Sequence, residues 1–263
     1  MLDFFDPAVH SPSALFAMGG VGHIALNLGL VLLLATMVVF RRQLPALRQR
    51  RTFMAGTAGL VLGLEVLSYV FKLAYPGTPA FELLPLQLCS SLKIAITLLI
   101  VFERYELVRY LSVLAIGCGF ISFANLNLHG ESFGNFTLWH YSIGHYYLFA
   151  APLFLFLCGE HHFDLRVHLK MCAGLALWSF TLFVVNWALD TNYMYTGPHN
   201  DTVVPFLPAS MMRWPFNYVS YVMIAFVLLN VTYGILRLAQ QSPARAPEET
   251  LHAHVADAGA AVG

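Results

Sequence analysis

Apolar residues arrive in runs of about twenty, separated by short polar connections, and the runs have neither the alternation of strands nor the one-sided periodicity of soluble helices. Read against breakers and charges, they predict helices near residues 18–40, 53–74, 85–102, 110–126, 139–158, 171–189 and 213–236. A helix needs about 20 apolar residues to cross a bilayer. The pattern therefore predicts an all-α polytopic membrane bundle of about seven transmembrane helices.

Lys and Arg are not the main criterion for these runs, so their placement tests them without circularity. Eleven of the fourteen basic residues lie in the connections 41–52, 103–109 and 159–170 or in the tail, and none in the N-terminal segment or in 75–84, 127–138 and 190–212. Such alternation sets an odd number of spans, with the N-terminus outside and the C-terminus cytoplasmic. Residues 1–239 form the membrane domain on this reading. Residues 240–263, rich in Ala, Pro and charge with no apolar period, are expected to be a disordered cytoplasmic tail. The first residues carry Asp3 and Asp6 but no basic residue, so the first run is expected to stay as a helix rather than be cleaved.

Composition agrees. The chain has 263 residues, of which 58% are hydrophobic and 11% charged, against about a quarter charged in soluble domains. Zero formal net charge gives no reason to expect a nucleic-acid partner. Membrane lipid is the expected partner; oligomeric state is not legible. Short loops and an Arg- and Ala-containing tail fit a bacterial inner membrane.

Polar side chains inside spans usually face the bundle interior, and here they cluster in the outer halves. His23 and Asn27 share a face of the first span, as do Glu65, Tyr69 and Lys72 in the second and Cys89 and Lys93 in the third. Ser122 and Asn125 end the fourth, and Tyr141, Ser142 and His145 begin the fifth. Asn186 and Asp190 end the sixth, while Arg213, Asn217 and Tyr221 open the seventh. Inner halves such as LVLLLATMVVF are apolar, so a polar cavity opening outward is expected. At 1.5 Å per residue, Cys89 lies ~6 Å below the outer boundary, His145 ~9 Å, Asn217 ~6 Å and Asn186 ~5 Å, while Glu65 and Lys93 share a depth of roughly 12 to 14 Å. Glu65 and Lys93 are therefore expected to form a structural ion pair.

A thiol and an imidazole at similar depth suit a Cys/His pair, with Cys89 as nucleophile and His145 as base in acyl transfer or hydrolysis. Asn186, Asn192, Asn217 and Arg213 are candidates to bind an oxyanion or a lipid phosphate, and His23 lies at the same end. Other positions read more plainly. Cys118, Cys158 and Cys172 are small hydrophobes, and His161, His162 and His168 are solvated loop residues. Asn27 and Ser122 read as interhelical glue; Trp139, Trp187 and Trp214 as an interfacial belt. NFT at 135–137 and NDT at 200–202 fit glycosylation sequons, a short pattern common by chance. A metal site from His23, Cys89 and His145 lacks two ligands on one helix, so neither metal nor cofactor is expected.

The stretches LLPLQLCSSL (83–92), SIGHYYLFAAPLFL (142–155) and NWALDTNYMYTGP (186–198) resemble, in order and spacing, three signature regions of the YwaF/transmembrane protein 164 family. The similarity spans roughly residues 10 to 236. It implies a heptahelical fold and, from the vertebrate branch, phospholipid acyl transfer through the cysteine of an LPLxLC motif, which is Cys89 here; the histidine of the family's fifth span matches His145. The family commonly has His where this chain has Gln87, which can hydrogen-bond but takes no proton near neutral pH. Two other readings stay open: a non-enzymatic carrier or receptor that uses Glu65 and Lys93 as a switch, and a structural lipid-binding scaffold.

Overall fold

A computed structural model describes residues 19–74, 83–124, 134–198 and 207–241. Asp3, Asp6, the sequon at 200–202 and the tail from 242 onward lie outside them, as do Asn125 and most of the connections 75–84 and 127–138. Among the described residues every regular element is helical: α1 (Val21–Val39), α2 (Leu44–Arg48), α3 (Arg51–Ala74), α4 (Leu88–Val101), α5 (Tyr105–Ala124), α6 (Phe136–Leu157), α7 (Leu165–Leu189) and α8 (Phe216–Gln241), with short 3-10 turns at Tyr193–Tyr195 and Ala209–Met212.

Each expected span has its helix, with shifted ends. The third begins at Leu88 rather than 85, because the chain makes a tight turn at Pro85, where the Leu86 amide donates to the Leu84 carbonyl at 2.8 Å, and Gln87 keeps extended dihedrals before the first turn. The sixth begins at Leu165 rather than 171, because the Asp164 carboxylate accepts from the Val167 amide and caps the helix six residues early. Inside the Arg-rich 41–52 connection the expected loop contains α2, with Pro45 in its first turn.

Among the described residues five helices, α1, α3, α5, α7 and α8, are long and apolar enough to cross a membrane. At 14 residues α4 is shorter. His140, Tyr141, His145, Tyr146 and Tyr147 dilute the 22-residue α6, which is long enough but less apolar.

Helices α5 and α6 form the centre. They pack on each other and are wrapped by α1, α3, α4, α7 and α8. Small residues set the close approaches. A Cβ on Gly119 would lie 2.8 Å from Phe149 Cβ, and one on Gly117 would lie 3.0 Å from Leu228 of α8, so α5 presses its backbone against both neighbours. The core runs through Ala58, Ile96, Val113, Leu148, Leu155, Leu175 and Leu229. Outward, α1, α3, α7 and α8 expose Leu28, Leu32, Leu60, Val70, Leu177, Phe180, Val227 and Leu238. An apolar surface this continuous is a lipid-facing one, since monomeric soluble proteins rarely expose patches above a few hundred Å².

Two histidines expected in solvent are in the core. His161 is 0% exposed. It bonds the Tyr105 carbonyl and the Ser112 hydroxyl, both at 3.1 Å, because the 159–164 connection folds under α5. His168 sits in the first full turn of α7, stacked on Tyr233 with ring centroids 4.0 Å apart. His162 is exposed as expected.

Candidate functional site

Cys89 lies in the first turn of α4, half-buried, beside Cys118 and Ser122 on α5 and His145 on α6. Three helices converge here because α5 and α6 touch at Gly119, whose missing side chain leaves the His145 carbonyl 3.2 Å from where a Cβ would stand. His145 Nδ1 lies 2.8 Å from the Tyr141 carbonyl one turn earlier. A carbonyl only accepts, so Nδ1 carries the hydrogen and Nε2 keeps the lone pair of the neutral ring. Tyr141 stacks on the imidazole at 4.0 Å and Phe123 approaches its edge at 6.4 Å.

The end of α5 is held by side chains from other helices. The last carbonyls of a helix have no intrahelical donor. Here Ser122 receives the Tyr141 hydroxyl at 3.1 Å, and Phe123 receives His23 Nε2 at 2.9 Å and Asn27 Nδ2 at 3.1 Å. His23 Nδ1 accepts from the Gly19 amide at 3.0 Å. Both His23 nitrogens are thus engaged with backbone.

Residues 190–197 fold over the same end. Asp190, Met194 and Tyr195 adopt left-handed dihedrals, an uncommon conformation that surrounding contacts must sustain. Asn186 makes four hydrogen bonds of 2.8 to 2.9 Å to Thr191, Tyr193 and Thr196. Asn192 accepts from the Gly197 amide, and Asn217 donates to the Tyr195 and Gly197 carbonyls. Gln87 accepts from the Met194 amide at 2.9 Å, tying the loop to the start of α4. In this chain Gln87 does a job that needs an acceptor, not a base. The loop brings Tyr195 within electrostatic range of Cys89 and 5.7 Å from the Tyr221 ring. Arg213 is exposed at the same end of the bundle.

A second polar cluster spans α3, α4 and α6. Lys93 pairs with Glu65 Oε1, and His140 Nε2 donates to the same oxygen at 2.8 Å. Glu65 and Lys93 are 5% and 4% exposed. Gly144 makes the pairing possible, since a Cβ there would sit 2.7 Å from Lys93 Nζ. Cys89 and Lys93 are one turn apart on α4, and His140 and Gly144 precede His145 on α6, so this cluster fixes the two helices that carry the thiol and the imidazole.

Spacing alone picked out Cys89, His145, Glu65 and Lys93. It passed over Cys118, Ser122, Tyr195 and His140 as site groups. His140 gave no such signal, since five residues place it about 140° round the helix from His145; Tyr195 gave none either, because its position depends on left-handed backbone.

The fold and these buried polar clusters define a helical integral membrane protein. The sequence matches the TMEM164 family over residues 18–233, and the chain belongs to that family. Comparison with curated proteins and with solved structures gave no match.

Proposed function

We propose that the protein crosses the inner membrane of a bacterium seven times, with its N-terminus outside and C-terminus cytoplasmic, and transfers or hydrolyses lipid acyl groups through Cys89 and His145. The observation that carries this reading is the tautomer of His145: Nδ1–H is spent on the Tyr141 carbonyl, which leaves the lone pair on Nε2 to take a proton from the neighbouring Cys89 thiol.

In the first half-reaction the Cys89 proton passes to His145 and the thiolate attacks the ester carbonyl of a phospholipid. The carbon–sulfur bond forms, the ester carbon–oxygen bond breaks, and His145 returns its proton to the leaving lysolipid oxygen. A hydroxyl, from an acceptor lipid or water, then gives its proton to His145 and attacks the thioester, and the thiolate departs and is reprotonated. Tyr195 offers a hydroxyl to the developing oxyanion, and Arg213 meets the lipid phosphate. Asn186, Asn192 and Asn217 act on the substrate through the loop they hold. His23 acts through the end of α5.

The test is turnover of a phospholipid bearing an alkyne-tagged acyl chain by purified protein in mixed vesicles. Tagged chain should move to lysolipid or appear as free acid, and Cys89→Ala and His145→Ala should abolish it. Wild-type activity no higher than Cys89→Ala contradicts the reading.

The Glu65, Lys93 and His140 cluster favours a second reading, a carrier or receptor in which these charges bind or switch. It predicts ligand flux lost in Glu65→Gln and untouched in Cys89→Ala.

A further inference from the structure

A cavity of about 250 Å³ lies at the other end of the bundle, among α1, α2, α3, α4 and α6. Its wall is almost wholly carbon, with Leu33 and Met37 from α1, Leu44 and Leu47 from α2, Phe53 from α3 and Phe154 and Ala151 from α6 among its lining. Ile100 also reaches it, eleven residues along α4 from Cys89, or ~16 Å at 1.5 Å per residue, so it is separate from the site above. Pockets for drug-sized ligands begin near ~300 Å³ and carry a few converging polar groups. This one is smaller, and although Thr57 and Tyr147 belong to its lining they leave it almost wholly apolar, which suits a length of hydrocarbon chain.

The cover of the cavity bears on what the chain is attached to. Leu44 and Leu47 face inward from α2, while Arg41 and Arg42 precede that helix and Arg50 follows it, all exposed. Their neighbours are already matched, Arg48 to Glu160 at 3.0 Å and Arg51 to Glu103 at 3.3 Å. Arg41, Arg42 and Arg50 take part in no ion pair among the described residues. The same five-residue helix thus closes an apolar chamber with one face and carries unmatched cations at both ends, and basic clusters beside a membrane attract anionic headgroups.

We propose that the cavity holds one acyl chain of an anionic phospholipid whose phosphate lies against Arg41, Arg42 and Arg50. The lipid pins α2 to α1 and α3 from the basic end. The site needs no reaction at Cys89, and stands whether or not acyl transfer occurs there.

Full-length protein in vesicles would be photolabelled with phosphatidylglycerol carrying a diazirine on one acyl chain, and in parallel with phosphatidylcholine carrying the same chain. Phosphatidylglycerol is expected to label peptides containing Met37, Phe53 or Phe154 several-fold more than phosphatidylcholine. Ala151→Phe, which fills the cavity, should cut that labelling at least threefold, and the combined Arg41→Gln, Arg42→Gln, Arg50→Gln variant should bring the two lipids level. The arginines are exposed, so that variant remains informative if Ala151→Phe does not fold. Equal labelling by the two lipids in wild type, or labelling unchanged in the arginine variant, overturns the proposal.

Discussion

Among the described residues a cysteine lies beside a histidine at each end of the bundle, and the two pairs differ in which nitrogen of the imidazole carries the hydrogen. At one end Cys89 on α4 meets His145 on α6, whose Nδ1–H is committed to a carbonyl. At the other, Cys172 lies 3.6 Å from Nε2 of His168, one turn back on the same helix. That Nε2 is 3.0 Å from Asn230 Oδ1, and the amide is fixed because its Nδ2 donates to the Phe226 carbonyl at 2.7 Å. Nε2 of His168 must therefore carry the hydrogen. It has nothing to accept a thiol proton with. Proximity of Cys and His does not make a base; the partner of the other nitrogen does. The second difference is architectural: Cys172 and His168 need only one helix, whereas Cys89 and His145 need two helices held in register.

The register can be broken first, with the largest effect. Glu65→Leu leaves Lys93 buried without its partner, which costs about 3 to 5 kcal/mol, while removing both charges is far less damaging. Thermal unfolding in detergent should show Glu65→Leu strongly destabilised and Glu65→Leu with Lys93→Met recovering most of the loss. In Glu65→Leu at a temperature where it stays folded, Cys89 reactivity should fall and Cys172 reactivity should not change. A double variant no more stable than the single would show that the pairing is not what holds α4 to α6.

Next come the imidazoles. A positioned general base contributes at least ~100-fold, so His145→Ala should slow reaction of Cys89 with an acyl electrophile by about that factor, whereas His168→Ala should leave the rate at Cys172 within about twofold, a surface-scale change. Equal losses at both cysteines would mean that tautomer does not govern reactivity. Asn186→Ala tests the loop. It strands several buried groups at about 1 to 3 kcal/mol for an unsatisfied one, and should open residues 190–197 to protease and lower Cys89 reactivity without touching Cys172. The smallest effect sharpens the contrast from the other side: Asn230→Leu frees Nε2 of His168 to lose its hydrogen, and Cys172 should gain reactivity by a few-fold. No gain would leave burial, not tautomer, as the reason for its inertness.

These contrasts also mark what a sequence makes legible. Where the long helices fall along the chain followed from apolar runs, because lipid favours about 20 apolar residues in a span, but the five-residue α2 did not. Glu65 and Lys93 were matched by depth alone, and they are in contact. Depth says nothing of azimuth, however, so His140, on the same oxygen of Glu65, was passed over. Asn186 and Asn217 share a depth with Cys89 but, like Asn192, spend their amides on residues 190–197, where Met194 and Tyr195 have left-handed dihedrals. His161 looked like a loop residue by position and is buried because its connection folds inward. Neither outcome is written in hydropathy. Both depend on where unpaired backbone groups of distant segments come to lie.

The central claim, that Cys89 alone among the four cysteines is activated by its histidine, is tested most directly by the rate at which each thiol in the purified protein reacts with one long-chain acyl electrophile, read peptide by peptide by mass spectrometry. Cys89 should react at least tenfold faster than Cys118, Cys158 and Cys172, and lose that advantage in His145→Ala. Comparable rates at Cys89 and Cys172, or a Cys89 rate indifferent to His145, would contradict it.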